Sequence, residues 1–243
     1  GVLPVFVGQA TRAVEFAENS RKEYVAGLRL GQVTNTQDIS GETLENRPVT
    51  ASRAEVEAAM ARFLGPIQQI PPMYSAIKIN GQKLYDLARK GQEVARKPRS
   101  ITIYELELLE QSSETDYMFR CVCSKGTYIR TLCHDIGQAL GCGGTLYSLR
   151  RTMAAGYTTA QAHTMEEVQE RGESLLQPVD TLFAQYPAYT VPSDGKETRV
   201  RDGCAVTDVS LPDGAFRVYG RNGDFLCLSR AQRGTLTSIK NFF

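Results

Sequence analysis

The sequence has no apolar run that approaches the ~20 residues needed to span a bilayer, and its N-terminus has no basic-then-apolar signal layout. It also has no C-x-x-C pair, and its six cysteines are spread irregularly through 243 residues. Reduced thiols are therefore expected rather than a disulfide framework. Together these absences predict a cytoplasmic protein whose core forms without disulfides.

The sequence has a net charge of only +1. This excludes a general polycation, so any binding of nucleic acid must come from local clusters of charge. Seven cations and two carboxylates lie between Lys78 and Arg99, which gives that stretch a charge of +5. Residues 38–57 instead hold five carboxylates and two arginines. A solvated face is the alternative interpretation of both clusters.

The usual spacings of a zinc site are also absent. Cys121, Cys123, Cys133 and His134 are close in sequence, but a C-x-C followed by an adjacent Cys-His pair matches no common structural zinc motif. A metalloprotein is thus the weakest of the alternatives, and we predict neither a metal nor a cofactor.

Hydrophobic periodicity predicts an α/β (α+β) protein with a mixed, mainly antiparallel central sheet flanked by helices. Residues 22–30 alternate like a strand, residues 100–109 and 117–124 suggest a hairpin, and a helical apolar stripe starts at Thr127 and stops before Gly141. Two capping boxes, Ser52 with Glu55 and Thr164 with Glu167, predict helix starts. A short helix is expected at 9–20.

The least regular part runs from about Pro66 to Arg99, and a long basic excursion of this kind is more often a binding loop than a packing element. Beyond Pro187, short β-prone runs alternate with turns, which suits a small β-rich domain that starts after Tyr186. Its strands are expected at residues 198–200, 215–219, 224–228 and 236–240.

Two residues stand out on physical grounds. Arg130 falls in the first turn of the predicted helix, off its apolar stripe, where the helix dipole favours an anion over a cation. A carboxylate or phosphate partner would remove this conflict, and a solvent-exposed arginine is the alternative. Tyr24 lies on the apolar face of the first strand, where it is either a core tyrosine or a stacking platform for a base.

Five strings carry a resemblance to a known family, in the right order along residues 1–186. They are GVLPV at 1–5, RKEY at 21–24, PPMYSAIKINGQKLY at 71–85, CSKGTYIR at 123–130 and SLRR at 148–151. In these strings the chain resembles the TruB family of tRNA pseudouridine synthases, and residues 187–243 are compatible with the PUA-like domain of such enzymes.

The resemblance implies an isomerase that flips the T-loop uridine of tRNA (position 55) out of its stack and converts it to pseudouridine, as a monomer and without cofactor or metal. Tyr24 matches the family's active-site tyrosine, Arg130 the arginine that pairs with the catalytic aspartate, and Leu149 an apolar pocket residue. Tyr128 is expected to bind substrate as well. The RNA backbone is expected to contact the cations Lys78, Lys83, Lys97, Arg99, Arg150 and Arg151.

The family's nucleophilic aspartate lies a few residues before the glycine that matches Gly1, so it is expected upstream of the sequence given. Asp38 and Asp135 are the acids nearest the motifs, but neither stands in the family's string, and neither is assigned the role. The alternative to an enzyme is a tRNA-binding or RNA-folding module without activity, in which the same cations give salt-dependent affinity.

Overall fold

A computed structural model describes all 243 residues. The α-helices are α1 (Val14–Glu18), α2 (Arg53–Ala61), α3 (Leu84–Ala88), α4 (Ile129–Ala139), α5 (Met165–Arg171) and α6 (Asp194–Arg201). The strands are β1 (Lys22–Leu30), β2 (Gln32–Thr34), β3 (Thr43–Asn46), β4 (Gly65–Gln69), β5 (Lys78–Ile79), β6 (Gln82–Lys83), β7 (Arg99–Gln111), β8 (Asp116–Cys123), β9 (Gly144–Ala154), β10 (Tyr157–Thr158), β11 (Ala188–Thr190), β12 (Val206–Thr207), β13 (Gly214–Tyr219), β14 (Phe225–Gln232) and β15 (Thr235–Asn241). No helix combines the length and the apolar character that crossing a membrane requires.

The chain divides into two compact units. The first contains residues 1–3 and 19–160, and the second contains residues 4–18 and 161–243. The domain boundary placed near Tyr186 from the sequence stays a prediction.

The first unit is built on a six-stranded sheet in the order β10-β9-β1-β8-β7-β4, and every pair of neighbours is antiparallel. The predicted strand at 22–30 is β1, and the predicted hairpin is β7 with β8. The expected α/β class with a mainly antiparallel sheet is confirmed.

The core of this unit lies between one face of the sheet and helices α2 and α4. The apolar stripe of α4 is buried at Ile129, Leu132, Cys133 and Ile136. The helix ends at Ala139, two residues before Gly141, which has a left-handed φ of 78°. The side chains that fill the core from the sheet are Ala26, Leu28, Leu30, Ile101, Ile103, Tyr117, Phe119, Cys121 and Cys123. Tyr24 packs against the same cluster, so it lies on the face of the sheet that α4 covers.

The predicted basic loop begins later than the sequence suggested. Residues 65–69 form β4, an edge strand that pairs with β7 in the register Gly65 with Ile103 and Gln69 with Arg99. Pro66, where the sequence predicts the start of the loop, is part of this strand, because proline is tolerated on an edge strand, where its missing N–H is not needed. Residues 70–98, which leave the sheet between β4 and β7, are called the basic segment below.

The second unit contains a five-stranded sheet in the order β11-β13-β14-β15-β12, with a core that includes Val191, Val218 and Leu226. The expected strand at 198–200 is wrong, because these residues lie in α6. Ser193 accepts a hydrogen bond from the Lys196 N–H as a helix cap, and this local start signal outweighs the β propensity of the later residues.

Gly137 lies where α4 closely approaches the start of β9. A Cβ added there would lie 2.1 Å from the Gly144 nitrogen and 2.3 Å from the Gly143 carbonyl carbon, whereas a Cβ at Gly195 in α6 would meet nothing within 4 Å. We therefore expect Gly137→Ala to lower the free energy of unfolding by about 1–3 kcal/mol, as overpacking does. Gly195→Ala is the control, and it should be neutral or stabilising by up to about 1 kcal/mol. Denaturant unfolding of both variants measures this, and equal effects would contradict the close packing of α4.

Candidate active site

Arg130 has two partners that remove the conflict between its charge and its place in the first turn of α4. Its Nη1 lies 3.2 Å from Oδ2 of Asp38, and its Nη2 donates a hydrogen bond of 2.6 Å to the main-chain oxygen of Tyr74. The Arg130 and Asp38 side chains are 24% and 23% exposed, which partly shields the pair from water. The expected anion partner is therefore present, and it is Asp38.

Asp38 is held by its own turn as well as by Arg130. Its Oδ1 accepts hydrogen bonds from the Thr36 hydroxyl at 2.9 Å, the Ser40 N–H at 3.1 Å and the Ser40 hydroxyl. Burial raises the pKa of Asp38, but the bonds from Ser40 and Thr36 and the charge of Arg130 outweigh it. The pKa of this carboxyl consequently lies below its ordinary value of 3.8.

A second contact between the same turn and the same helix lies one residue later in α4 and one residue earlier in the turn. The hydroxyl of Thr131 donates a hydrogen bond of 2.7 Å to Oε1 of Gln37. Gln37 has a φ of 65°, a left-handed conformation that is unfavourable for a residue with a side chain. Arg130 and Thr131 of α4 thus bind Asp38 and Gln37 of the turn. These contacts stabilise the turn and offset the unfavourable backbone conformation of Gln37.

Tyr24, Leu149 and Arg151 share one face of the sheet. Tyr24 of β1 pairs with Arg151 of β9, and Ala26 pairs with Leu149. Arg151 is near enough to the Tyr24 hydroxyl to lower its pKa, and its Nε donates a hydrogen bond of 2.6 Å to the main-chain oxygen of Val2. Burial raises the pKa of Tyr24, and Arg151 opposes this only in part. The phenol is therefore protonated at neutral pH and can donate a proton or a hydrogen bond.

Leu149 is 49% exposed, although it comes from a central strand next to β1. An apolar side chain that is half exposed beside Tyr24 gives this part of the sheet a surface that can receive a flat apolar group. On α4, the guanidinium carbon of Arg130 lies 5.9 Å from the centroid of the Tyr128 ring, which is within cation–π range.

Four cations of the basic segment line one cleft. Strands β5 and β6 pair Lys78 with Lys83, and the two lysines line a cleft of about 530 Å³ together with Arg89 and Lys90. Asp86 is the single carboxylate among the lining residues. A cleft of this charge and size suits phosphate groups.

The remaining cations predicted from the sequence are not part of that cleft. Lys97 and Arg99 are exposed at the end of the basic segment and the start of β7. Arg150 is exposed on β9, where it pairs with Val25 and so points to the sheet face opposite Tyr24. The roles of these three residues stay predictions.

Sequence reasoning missed Asp38 as the partner of Arg130, and it also missed Gln37, Thr131 and the Tyr74 carbonyl. A signal for Asp38 was present, because Thr36 and Ser40 flank it at the spacing at which hydroxyls bind a turn aspartate. The other two contacts, Thr131 with Gln37 and Arg130 with the Tyr74 carbonyl, join residues 56 or more positions apart in sequence, and no local pattern marks them.

The structure gives no support to the alternative of a metal site at Cys121 to His134. No group of three His, Cys, Asp or Glu side chains is placed to hold a metal ion. Cys121, Cys123 and Cys133 are instead fully buried in the core between the sheet and α4.

Comparison with known proteins identifies similar sequences. A family model described as the TruB family pseudouridylate synthase N-terminal domain matches residues 1–129, and one described as the tRNA pseudouridylate synthase B C-terminal domain matches residues 130–184. A tRNA pseudouridine synthase B from Alkaliphilus oremlandii is 50% identical over 182 residues, which are 74% of this chain and 60% of that relative. One from Clostridium kluyveri is 39% identical over 251 residues, covering 100% of this chain and 85% of the relative.

Solved structures share the fold. The crystal structure of a Cbf5-Nop10-Gar1 complex matches with a TM-score of 0.69 and 24% identity, over 100% of this chain and 72% of that chain. An H/ACA RNP bound to a substrate RNA containing 2′-deoxyuridine matches with a TM-score of 0.66 and 20% identity, over 98% and 70% of the two chains.

Asp38 of this site and Asp135 of α4 should respond to pH with opposite sign. The folded-state pKa of Asp38 lies below 3.8, so its stabilising contribution is present above that value and is lost as the pH falls through the folded-state pKa. Burial raises the folded-state pKa of Asp135 from its ordinary value of 3.8 to about 6, so stability falls as the pH rises between these two values, and the full cost is present above about 6.

We therefore expect Asp38→Asn to destabilise the protein near neutral pH and to have little effect in strong acid. Asp135→Asn should instead stabilise it near neutral pH and have little effect in strong acid. Denaturant unfolding across this pH range measures both changes. The electrostatic description of the site is contradicted if the two variants shift stability in the same direction near neutral pH.

Proposed function

Because the chain belongs to the TruB family of pseudouridylate synthases, we propose that it isomerises a uridine in tRNA to pseudouridine. The reaction breaks the bond between N1 of uracil and C1′ of ribose and forms a bond between C5 and C1′. The proton on C5 is lost to solvent, and N1 gains one. Since the C1′ atom is inaccessible within a stacked helix, the base must be extruded into a pocket of the enzyme.

The observation that carries this proposal is the set of partners of Arg130. Both Tyr24 and Arg130 lie in strings that resemble the family's. Tyr24 packs against the core cluster between the sheet and α4, and Arg130 follows Ile129, a member of that cluster. A guanidinium has five N–H donors, of which Asp38 and the Tyr74 carbonyl use only part. The remaining donors can orient a second carboxylate and keep it ionised.

That second carboxylate is the nucleophile, which we expect a few residues before Gly1. Val2 donates its N–H to the Arg151 main-chain oxygen at 2.8 Å, and Arg151 is the strand partner of Tyr24. The chain at Gly1 therefore lies beside Tyr24, and since an extended residue spans roughly 3.3 Å, a carboxylate a few residues earlier is within reach of the same pocket.

Tyr24 is proposed to stack on the flipped base and to assist proton transfer. The half-exposed Leu149 is proposed to form the apolar wall of the pocket. The pKa of the Tyr24 phenol is raised by burial, so the group keeps its proton at the pH of the reaction. Tyr128, whose ring lies against Arg130, is proposed to contact the base or its ribose.

The basic cleft is proposed to bind the phosphates of the tRNA backbone. Lys78 and Lys83 face each other there across the β5–β6 pair, and Arg89 and Lys90 add charge. This proposal includes two further points that follow the family resemblance. The enzyme binds the T-arm of the tRNA, and it acts as a monomer. An RNA-binding module without activity is the less favoured function, because the similar curated proteins are named as synthases over most of this chain.

We expect Tyr24→Phe and Arg130→Ala, in the protein expressed from the complete gene, to lower turnover by roughly 10²-fold or more while the Kd for tRNA stays unchanged. Release of tritium from tRNA labelled at C5 of uridine measures turnover, and filter binding measures Kd. Tyr147→Phe is the control for the first variant, since its hydroxyl contacts the Met118 sulfur on the other face of the sheet. Unimpaired product formation by either Tyr24→Phe or Arg130→Ala would refute the assignment.

We expect Lys78→Gln and Lys83→Gln to weaken tRNA binding and to reduce the slope of log Kd against log salt by about 1 each, as loss of one phosphate contact does. The kcat at saturating tRNA should not change. Arg53→Gln is the control, because Arg53 is paired with Glu57 in α2, outside the cleft. Salt slopes equal to the wild-type value in both lysine variants would place the phosphates elsewhere.

A further inference from the structure

Gln69 is a buried polar side chain with a defined pair of contacts. It is the last residue of β4, it is 2% exposed, and its amide binds the backbone of Tyr128 twice. The Tyr128 N–H donates to Oε1 of Gln69 at 2.9 Å, and Nε2 of Gln69 donates to the Tyr128 carbonyl at 3.1 Å.

These two hydrogen bonds fix the amide in one orientation. A buried amide costs free energy unless its donor and acceptor are both satisfied, and here each binds the matching group of a single residue. Turning the amide over would place a donor against the Tyr128 N–H and an acceptor against its carbonyl. Gln69 therefore sets both the position and the direction of the backbone at Tyr128.

Tyr128 is the residue at which the functional helix begins. It is the N-cap of α4, no side chain caps the helix there, and its carbonyl accepts the first intrahelical bond, from the Leu132 N–H at 3.1 Å. Arg130 follows two residues later. A shift of the backbone at Tyr128 would consequently move the guanidinium of Arg130 away from Asp38.

The other side of the contact is the root of the basic segment. Gln69 pairs with Arg99 in the sheet, so the segment leaves β4 and enters β7 at this point. Five residues after Gln69, the carbonyl of Tyr74 accepts the hydrogen bond from Arg130. The start of the basic segment is thus held against the first turn of α4 at two places, at Tyr128 through Gln69 and at Arg130 through Tyr74.

We propose that Gln69 is a positioning residue for the isomerisation. Its amide holds the first turn of α4 against the start of the basic segment, so that Arg130 meets Asp38 and the Tyr74 carbonyl together. This inference rests on the proposed function, because it explains how turnover depends on the position of Arg130.

Gln69→Glu in the protein expressed from the complete gene tests this, with Gln68→Glu as a matched control. Gln68 is the adjacent residue of β4, it is exposed, and its amide binds only the Ser100 hydroxyl, at 2.7 Å. At high pH a glutamate at 69 is ionised and has no donor for the Tyr128 carbonyl. When protonated, it has one O–H donor and one acceptor oxygen, so it can reproduce both bonds of glutamine.

We expect Gln69→Glu to lower kcat by about 10–100-fold at high pH, as misplacement of a catalytic group by about 1 Å does. The ratio of variant to wild-type kcat should rise as the pH falls, because burial raises the pKa of a carboxyl at this position. The Kd for tRNA should change little. Gln68→Glu should keep the wild-type kcat and pH profile.

Gln69→Met is the second variant, since it removes both hydrogen bonds without introducing a charge. It should show a reduced kcat whose ratio to wild type does not depend on pH, in protein that circular dichroism shows to be folded. Three results would overturn the positioning role. They are a ratio of Gln69→Glu kcat to wild-type kcat that does not depend on pH, a Gln69→Glu kcat equal to that of Gln68→Glu, and loss of folding in both Gln69 variants. Absence of tritium release by the wild type would instead refute the proposed function itself.

Discussion

Arg130 places a positive charge at the end of α4 where the unpaired N–H groups already make the potential positive. The guanidinium is tolerated because a carboxylate and a carbonyl meet it there, from two segments that are 36 positions apart in sequence. The turn that carries Asp38 must therefore stay against the helix, and the bond from Thr131 to Gln37 adds to this at the cost of a left-handed backbone at Gln37. Much of the irregular structure around the site follows from the need to satisfy this one cation.

Asp38 of the site and Asp135 of α4 show that the environment, rather than the residue type, sets the pKa of a carboxyl. Asp38 and Asp135 are both partly buried, and burial raises the pKa of each. Asp38 has hydroxyl, N–H and guanidinium donors that favour its ionised form, so its pKa falls below the ordinary value. Asp135 has no such donors, and its pKa rises to about 6. The carboxylate whose ionised form the structure stabilises is therefore the one that faces Arg130.

Local patterns predicted those parts of the fold whose stability is local. The alternation in β1, the stripe of α4 and the capping boxes at Ser52 and Thr164 were readable because each is a property of neighbouring residues. Strand β4 was missed because Gly65 and Pro66 mark a turn in sequence and become part of an edge strand only when β7 is beside them. The resemblance placed Tyr24 and Arg130 in the site, but the contact between Arg130 and Asp38 spans 92 positions and depends on tertiary packing.

A net charge near zero conceals an uneven distribution of free cations. In the second unit, many of the cations are paired: Lys196 with Asp208, Arg201 with Glu197 and Arg221 with Asp194. In the basic cleft, none of the four cations is in a salt bridge, although Asp86 lines the same space. Unpaired cations retain their field for an external anion, whereas paired ones have already neutralised it. Attraction of a polyanion is therefore concentrated on the basic segment. Gln69, which precedes this segment, and Tyr74 within it join its start to α4, so the proposed RNA-binding surface and the proposed catalytic guanidinium share one support.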